Sequence, residues 1–332
     1  MHWLERHWYR ISALHLLLWP ISLLFGALAA CRRLLYRWRI LPRTRLPAPV
    51  VVVGNINVGG TGKTPVTIWL AAWLANHGWQ PGVICRGVGG DARAPQRVTE
   101  QDDPQRVGDE ALLLARRCRC PVWIGGDRVA AARALLAASP ACNVIVSDDG
   151  LQHYALARDV EIAVIDAERG FGNGMLLPAG PLREPPRRLA QVDALIINGE
   201  AGFRREILPP SVPSFDMRFD GNTFYALLNP QQLTGPAHFS GQRVHAVAGI
   251  GNPQRFFNRL RELGISCTIH TFPDHHPYTA DDLAFRDADA VIMTEKDAVK
   301  CERYARDNFW ALRVDAGIDP ALDELLRRKI GT

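Results

Sequence analysis

The eight residues Asn57-Val58-Gly59-Gly60-Thr61-Gly62-Lys63-Thr64 stand between a β-branched run, Val50–Val53, and a stretch rich in Trp, Leu and Ala from Val66 to Asn76. A continuous apolar run of this kind suits a strand buried on both faces of a parallel sheet. The stretch that follows reads as a helix stopping near Gly78. Strand, glycine-rich loop and helix in this order form a phosphate cradle. Glycines let backbone N–H groups turn inward on phosphate oxygens with no Cβ in the way, and the helix N-terminus adds partial positive charge. The pattern G-x-x-x-x-G-K-[ST] is met except at its first position, where Asn57 replaces glycine and Gly59 and Gly60 add flexibility. Lys63 can reach the β- and γ-phosphates, Thr64 can hold Mg²⁺, and Pro65 fits the first helical turn. The expected ligand is ATP with Mg²⁺.

A second signal supports the first. The strand Asn143–Val146 runs into Ser147-Asp148-Asp149-Gly150. A carboxylate at the end of a parallel strand beside a phosphate loop is where a metal-holding aspartate belongs. The doublet, Asp148 and Asp149, offers one carboxylate for Mg²⁺ and a second for positioning, and both are metal candidates with Thr64; alone it would read as an acidic turn closed by Gly150.

The same alternation continues along the chain. Strand candidates are Gly82–Cys85, Val122–Ile124, Ile162–Ile165 and Ala194–Ile197, with helices at Glu110–Arg117 and Arg128–Ala138. Residues 207–240 carry five prolines (209, 210, 213, 230 and 236) and read as a linker or crossing. A second alternating set follows: Val244–Ala248, a helix around Arg255–Leu263, Ser266–Thr271, Ala290–Thr294, Trp310–Val314 and a last helix near Leu322–Lys329. The expected fold class is α/β: a P-loop NTPase-type, doubly wound parallel sheet with a second, smaller α/β domain and an N-terminal membrane helix. The expected division is 1–45, 46–215 and 216–332.

No charge occurs between Arg10 and Arg32, and these 21 residues would span roughly 32 Å as a helix, near the thickness of a bilayer core. Trp3, Trp8 and Tyr9 precede the segment, and Tyr36 and Trp38 follow it, as at membrane interfaces. His15 and Pro20 interrupt it, so a tilted or half-inserted helix is as consistent as a clean span. Leu28-Ala29-Ala30-Cys31 resembles a lipoprotein cleavage box, and a buried core helix is the other alternative. Six arginines (32, 33, 37, 39, 43 and 45) follow, and such clusters stay on the cytoplasmic side. A retained anchor among membrane phospholipids, on the cytoplasmic face of an inner membrane, is the reading adopted.

Composition narrows the rest. The net charge of +5 gathers mostly in that arginine cluster rather than on a broad face, which argues against a nucleic-acid binder. Seven cysteines without a CxxC pair read as reduced thiols in a cytosolic compartment rather than a metal site. No protein partner is named by any motif.

Gly59–Pro65, Gly108-Asp109-Glu110, Asp148-Asp149-Gly150, Leu182-Arg183-Glu184-Pro185, Asp274-His275-His276 and Thr294-Glu295-Lys296-Asp297 occur in one order behind the apolar segment. Together they resemble the tetraacyldisaccharide 4′-kinase family of lipid A synthesis across nearly the whole chain. The resemblance implies transfer of the ATP γ-phosphate to the 4′-hydroxyl of an acylated glucosamine disaccharide 1-phosphate, forming lipid IVA. It implies Asp109 as catalytic base assisted by His275, Asp148 and Asp149 around metal and phosphates with Lys63, and Arg183 and Glu184 as polar active-site residues. The family often carries an aromatic at Val88 of Cys85-Arg86-Gly87-Val88-Gly89-Gly90, which bears on any stacking there.

On the residues alone several alternatives stay open. A carboxylate near a sugar hydroxyl can accept its proton, yet Asp109 after Gly108 also reads as a helix N-cap. His275 and His276 read as surface or metal candidates in a loop suited to reach toward the first domain. Arg183 and Glu184 lie in a proline-stiffened loop or form a solvated pair. A GTPase is disfavoured because Lys296 directly precedes Asp297, against the Lys-x-Asp spacing of guanine recognition. A membrane-bound assembly ATPase often carries a second early lysine, which Asn57 and Val58 do not supply.

Overall fold

A computed structural model describes residues 7–9, 12–88, 90, 94–199 and 203–331; Trp3, Arg10 and Gly89 lie outside them. β1 (Val50–Gly54) is buried along its length. Its side chains alternate: Val51 and Val53 enter one core with Val66, Leu70 and Leu74, while Val50 and Val52 enter the opposite core with Ala131, Ala132 and Leu135. Such burial on both faces explains the uninterrupted valine run.

β1 is central in a nine-stranded sheet. Its other members are β2 (Pro81–Cys85), β3 (Gln96–Val98), β4 (Val122–Ile124), β5 (Val144–Asp148), β6 (Val160–Asp166), β7 (Ala194–Asn198), β8 (Ser214–Asp220) and β15 (Asp315–Ile318). The order is β15-β8-β7-β6-β1-β5-β2-β4-β3, parallel except for the two outer pairs β3–β4 and β8–β15. A second, six-stranded sheet has the order β10-β9-β14-β13-β11-β12. It comprises β9 (Phe224–Ala226), β10 (Leu233–Thr234), β11 (Val244–Ala248), β12 (Cys267–Thr271), β13 (Ala290–Thr294) and β14 (Phe309–Leu312).

The expected boundary at 215/216 needs correction. It cuts through β8, and the chain's end returns to the first sheet: β15 pairs with β8, and the last helix, Ala321–Ile330, puts Leu322, Leu325 and Leu326 into the first core. The proline-rich stretch 207–240 likewise holds β8, β9 and β10 as well as a crossing. Its prolines fall outside those strands, so they end pairing without interrupting it.

The N-terminal helix α1 (Ala13–Arg37) is longer than the uncharged stretch and includes Arg32, Arg33 and Arg37. His15 lies in its first turn, where Nδ1 accepts the Ser12 N–H at 2.8 Å and completes a capping box. The polar interruption is thus a helix start. One face docks on the first unit: the Ala179 N–H donates to Ser22 Oγ at 2.9 Å, Trp8 Nε1 donates to Pro178 O at 3.0 Å, and Tyr36 packs against Tyr154. The other face leaves Leu16, Leu17, Trp19, Ile21, Leu23, Leu24 and Leu28 exposed.

Inside the second unit Asp297 is fully buried and binds several neighbours. Its carboxylate accepts from Thr294 Oγ1 (2.7 Å), the Gly249 N–H (3.0 Å) and Tyr278 OH (3.1 Å), and pairs with Lys300 (2.9 Å). These bonds tie β11 to α7 (Glu295–Cys301). Removing one partner of a buried charged network typically costs 3–5 kcal/mol. Asp297→Ala is therefore expected to lower unfolding free energy by about 3 kcal/mol. Urea unfolding checks this, and a change below about 1 kcal/mol would refute the role.

Candidate active site

The carboxyl ends of both parallel sheets meet, and the chemistry-bearing loops leave from those ends, as ligand sites in open α/β sheets do. From the first sheet come the phosphate loop after β1, Asp148-Asp149 at the end of β5 and Asn198 at the end of β7. From the second come the Gly249–Asn252 loop after β11, Asp274-His275 after β12 and Lys296 at the start of α7. The two edges touch: a Cβ built on Gly251 would lie 2.8 Å from the Gly60 amide nitrogen, so only glycine fits there. Arg169 Nη2 donates to the Gly251 carbonyl, and Arg255 Nη2 pairs with Asp166 at 2.9 Å.

The loop from Asn57 to Thr64 joins β1 to α2 (Lys63–Asn76). Gly62 has φ +96°, and an added Cβ would meet the Asn198 amide at 2.5 Å. Asn198 Nδ2 donates to Thr61 O at 2.9 Å, and Asn55 Nδ2 donates to Thr61 Oγ1 at 3.1 Å. Asn57, the departure from glycine, donates its amide to Gly170 O at 2.7 Å, and the Val58 N–H donates to Pro181 O at 2.8 Å. The asparagine thus serves to fasten the loop to its neighbours.

Asp149 adopts φ +48°, a left-handed conformation. Arg183 Nη1 lies 2.9 and 3.0 Å from its two carboxylate oxygens and Lys63 Nζ lies 3.7 Å away. Burial alone would raise the Asp149 pKa, but the Lys63 and Arg183 charges overcome it and hold it at about 2. Asp148 is pushed the other way, to about 7, by burial and then by the Glu110 charge. Its Oδ1 accepts from Thr67 Oγ1 at 2.9 Å. Thr67, one turn beyond Thr64, is the hydroxyl that binds Asp148. Among the described residues no hydrogen bond joins Thr64 to either aspartate.

Glu184 is not a solvated partner of Arg183. It is buried, accepting from Gln152 Nε2 at 2.9 Å and from Tyr154 OH, with Arg188 at 3.9 Å. Arg183 turns to Asp149 instead.

Asp109 opens α4 (Asp109–Arg117), but Gly108 is the cap residue and Asp109 is only 5% exposed. His275, in the second unit and itself at φ +59°, brings Nδ1 to 3.0 and 3.1 Å from the Asp109 carboxylate oxygens. Burial alone would raise the Asp109 pKa. The His275 hydrogen bond and the charges of Lys296, His275 and Lys300 outweigh it and keep it below the ordinary value. The same hydrogen bond raises the His275 pKa, against burial and Lys296. A cavity of about 500 Å³ opens beside the pair, lined also by Val88, Gly108, Tyr278 and Arg303. His276 also lines this cavity and pairs with Asp282 at 3.2 Å.

Residues 14–331 match the sequence profile of the tetraacyldisaccharide-1-P 4′-kinase family. A tetraacyldisaccharide 4′-kinase from Methylobacillus flagellatus is 51% identical over 328 residues, covering 99% of this chain and 96% of that protein. One from Dechloromonas aromatica is 49% identical over 333 residues, covering 99% and 97%. The chain belongs to the tetraacyldisaccharide-1-P 4′-kinase family. The crystal structure of LpxK from Aquifex aeolicus in complex with ATP is similar in fold, with a TM-score of 0.81 and 27% identity over 96% of this chain and 99% of that one. As a member of the 4′-kinase family this protein is an ATP-dependent kinase of lipid A biosynthesis, and an assembly ATPase or GTPase is not favoured.

Several neighbours in this 4′-kinase site carried no role in the sequence reading: Thr67, Glu110, Asp274, Lys296 and Lys300. The Thr294–Asp297 motif was legible, but only as a spacing unlike that of guanine readers. Lys296 lies 186 residues from Glu110, with which it pairs at 3.1 Å. No local pattern announces a contact of that separation.

The Asp148 shift makes a stability prediction. Between about pH 4, the ordinary carboxyl range, and pH 7, the folded chain holds a proton at Asp148 that the unfolded chain has released. Stability therefore falls as pH rises through that window. Asp149 acts oppositely, adding stability above about pH 4 that is lost as pH falls toward 2. Asp148→Asn is expected to stabilise the ligand-free protein at roughly pH 8 by on the order of 2 kcal/mol, with a smaller gain near pH 4. Urea unfolding at the two pH values decides it; equal gains at both would refute the assignment.

Proposed function

We propose that phosphoryl transfer takes place at the seam between the two sheets, with Asp109 as the base that accepts the acceptor's 4′-hydroxyl proton and His275 as its partner. The observation that carries this reading is the 3.0 Å contact from His275 Nδ1 to a buried Asp109 carboxylate, beside an open cavity. A carboxylate with a depressed pKa is ionised at neutral pH and free to take a proton. The phosphate loop, residues 57–64, would hold the ATP phosphates through backbone N–H groups and Lys63.

The donor set around Asp148 fits Mg²⁺. Thr64, Asp148 and Asp149 offer hard oxygen ligands, and Mg²⁺ is commonly bound by one or two carboxylates with substrate phosphates rather than a protein cage. Among the described residues no cluster of three or more His, Cys, Asp or Glu forms such a cage. Burial holds Asp148 near pKa 7, so a nearby cation is what would favour its charged form. Bound Mg²⁺ would neutralise charge building on the phosphates. Lys63 and Arg183 hold Asp149 ionised and oriented, and Arg183 would contact the acceptor. Glu184 contributes there by fixing Gln152 and Tyr154.

The acceptor is an acylated glucosamine disaccharide 1-phosphate, and α1 would bring the enzyme to it on the cytoplasmic face of the inner membrane. The exposed apolar face of α1 suits phospholipid tails, and its arginines suit anionic headgroups. Arg32 Nη1 donates to Gln152 O at 3.2 Å, linking the membrane-facing helix to the loop that Glu184 orders.

Incubation with γ-labelled ATP and the acylated disaccharide 1-phosphate should place label on the lipid; label recovered only as free phosphate would sink the reading. Asp109→Ala should lower turnover by roughly 10²–10⁴-fold and spare ATP affinity. Lost ATP affinity at unchanged turnover would instead make Asp109 a structural residue. Leu17→Glu combined with Leu24→Glu should cut co-sedimentation with anionic phospholipid vesicles at least about tenfold. Undiminished sedimentation would move the membrane contact elsewhere.

A further inference from the structure

Lys296 stands where the two units close on one another. Its Nζ lies 3.1 Å from Glu110 Oε1, 3.2 Å from Asp274 Oδ1 and 3.4 Å from His275 Nε2, and its side chain is mostly buried. Three segments meet there: α4 of the first unit with Glu110, the loop after β12 with Asp274 and His275, and α7 with Lys296 itself. We propose that Lys296 is the positioning residue of the Asp109–His275 pair, fixing the imidazole by its far nitrogen so that Nδ1 carries the proton and faces Asp109. The proposal rests on the reading of Asp109 and His275 as the reacting pair.

Donor chemistry forces the tautomer. An ammonium has three donors and no acceptor, so a hydrogen bond between Lys296 and His275 requires a lone pair on Nε2. The imidazole proton then resides on Nδ1, which donates to Asp109. With the opposite tautomer, Nδ1 would present a lone pair to a carboxylate and Nε2 an N–H to an ammonium, and both contacts would repel.

The charged groups around His275 reinforce that arrangement. Asp109 faces it from α4, Lys296 from α7, and Asp274 from its own loop, with Lys300 3.9 Å from Asp109. The Asp109 bond raises the imidazole's affinity for a second proton, and the Lys296 charge opposes it. Carboxylates hold Lys296 itself above its ordinary pKa although burial works against this, so it keeps its charge at neutral pH. Lys296 therefore opposes a proton on His275 Nε2 and favours the ionised form of Asp109. Because its other partners lie on both units, the same cation sets this geometry when the two sheet edges meet.

The direct test is nuclear magnetic resonance on nitrogen-labelled histidine, with His275 assigned by its loss in His275→Asn. The wild-type protein should show a protonated Nδ1 and an unprotonated Nε2 near neutral pH. Lys296→Met and Lys296→Gln should shift His275 toward the imidazolium or the other tautomer, and Lys296→Arg should restore the wild-type signature. An unchanged His275 signature in both neutral variants would overturn the proposal. Kinetics give the second readout. The neutral variants should lower kcat roughly 10–100-fold, leave the KM for ATP unchanged and move the rising limb of the pH profile up by about one unit. In a His275→Asn background, Lys296→Met should cost little more; a full additive loss would refute action through His275. Gln keeps hydrogen-bonding capacity to Glu110 and Asp274, and stabilisation by added ATP reports folding, so the test survives if Met fails to fold. If His275→Asn and Asp109→Asn both retain turnover, the reading of the reacting pair fails, while the histidine signature still judges the placement of the proton.

Discussion

A site that handles a triphosphate concentrates charge in a partly dry space, and a buried charge is tolerated only where an opposite charge or hydrogen bonds meet it. Most of the arrangement between the two sheets follows from this. Asp149 sits between Lys63 and Arg183, Asp109 between His275 and Lys300, and Lys296 between Glu110 and Asp274. Asp148 is the exception: burial and the Glu110 charge outweigh the Lys63 charge and the Thr67 hydroxyl and push its pKa up.

This pairing also joins the two units. The first sheet's edge supplies Asp109, Glu110 and the phosphate loop, and the second supplies His275, Asp274 and Lys296. Asp149 finds its cations within the first edge, but Asp109 and Glu110 find theirs on the second. The Gly60–Gly251 approach and the Arg255–Asp166 pair bring the same edges together on the phosphate side. The phosphate loop and the Asp109–His275 contact thus lie along one seam.

The N-terminal helix extends the same logic toward the acceptor. One face docks through Ser22 on Ala179, with Trp8 ahead of the helix bonded to Pro178, while the opposite face is apolar and open. Near its end Tyr36 packs at a tilt against Tyr154, whose hydroxyl donates to Glu184. A helix held in this way lies against the unit that carries the phosphate loop and leaves its apolar face open.

Local chemistry was enough for much of this in the sequence. Valines at 50–53 demanded a strand covered on both faces, and the glycines and lysine at 59–63 demanded a phosphate cradle. Strands such as Val122–Ile124, Val244–Ala248 and Ala290–Thr294 follow the apolar pattern residue for residue. The return of β15 and the last helix to the first sheet was not legible, because β-pairing between Asp220 and Asp315 carries no signature in either segment. The same holds at the site. The sequence determined which residues could do chemistry: Lys63, Asp109, Asp148, Asp149 and His275. Only the tertiary structure decided that Thr67 rather than Thr64 holds Asp148, that Glu184 faces Gln152 and Tyr154, and that Lys296 meets His275. Side-chain type is a local property, whereas charge pairing is set by distances across nearly two hundred residues of chain.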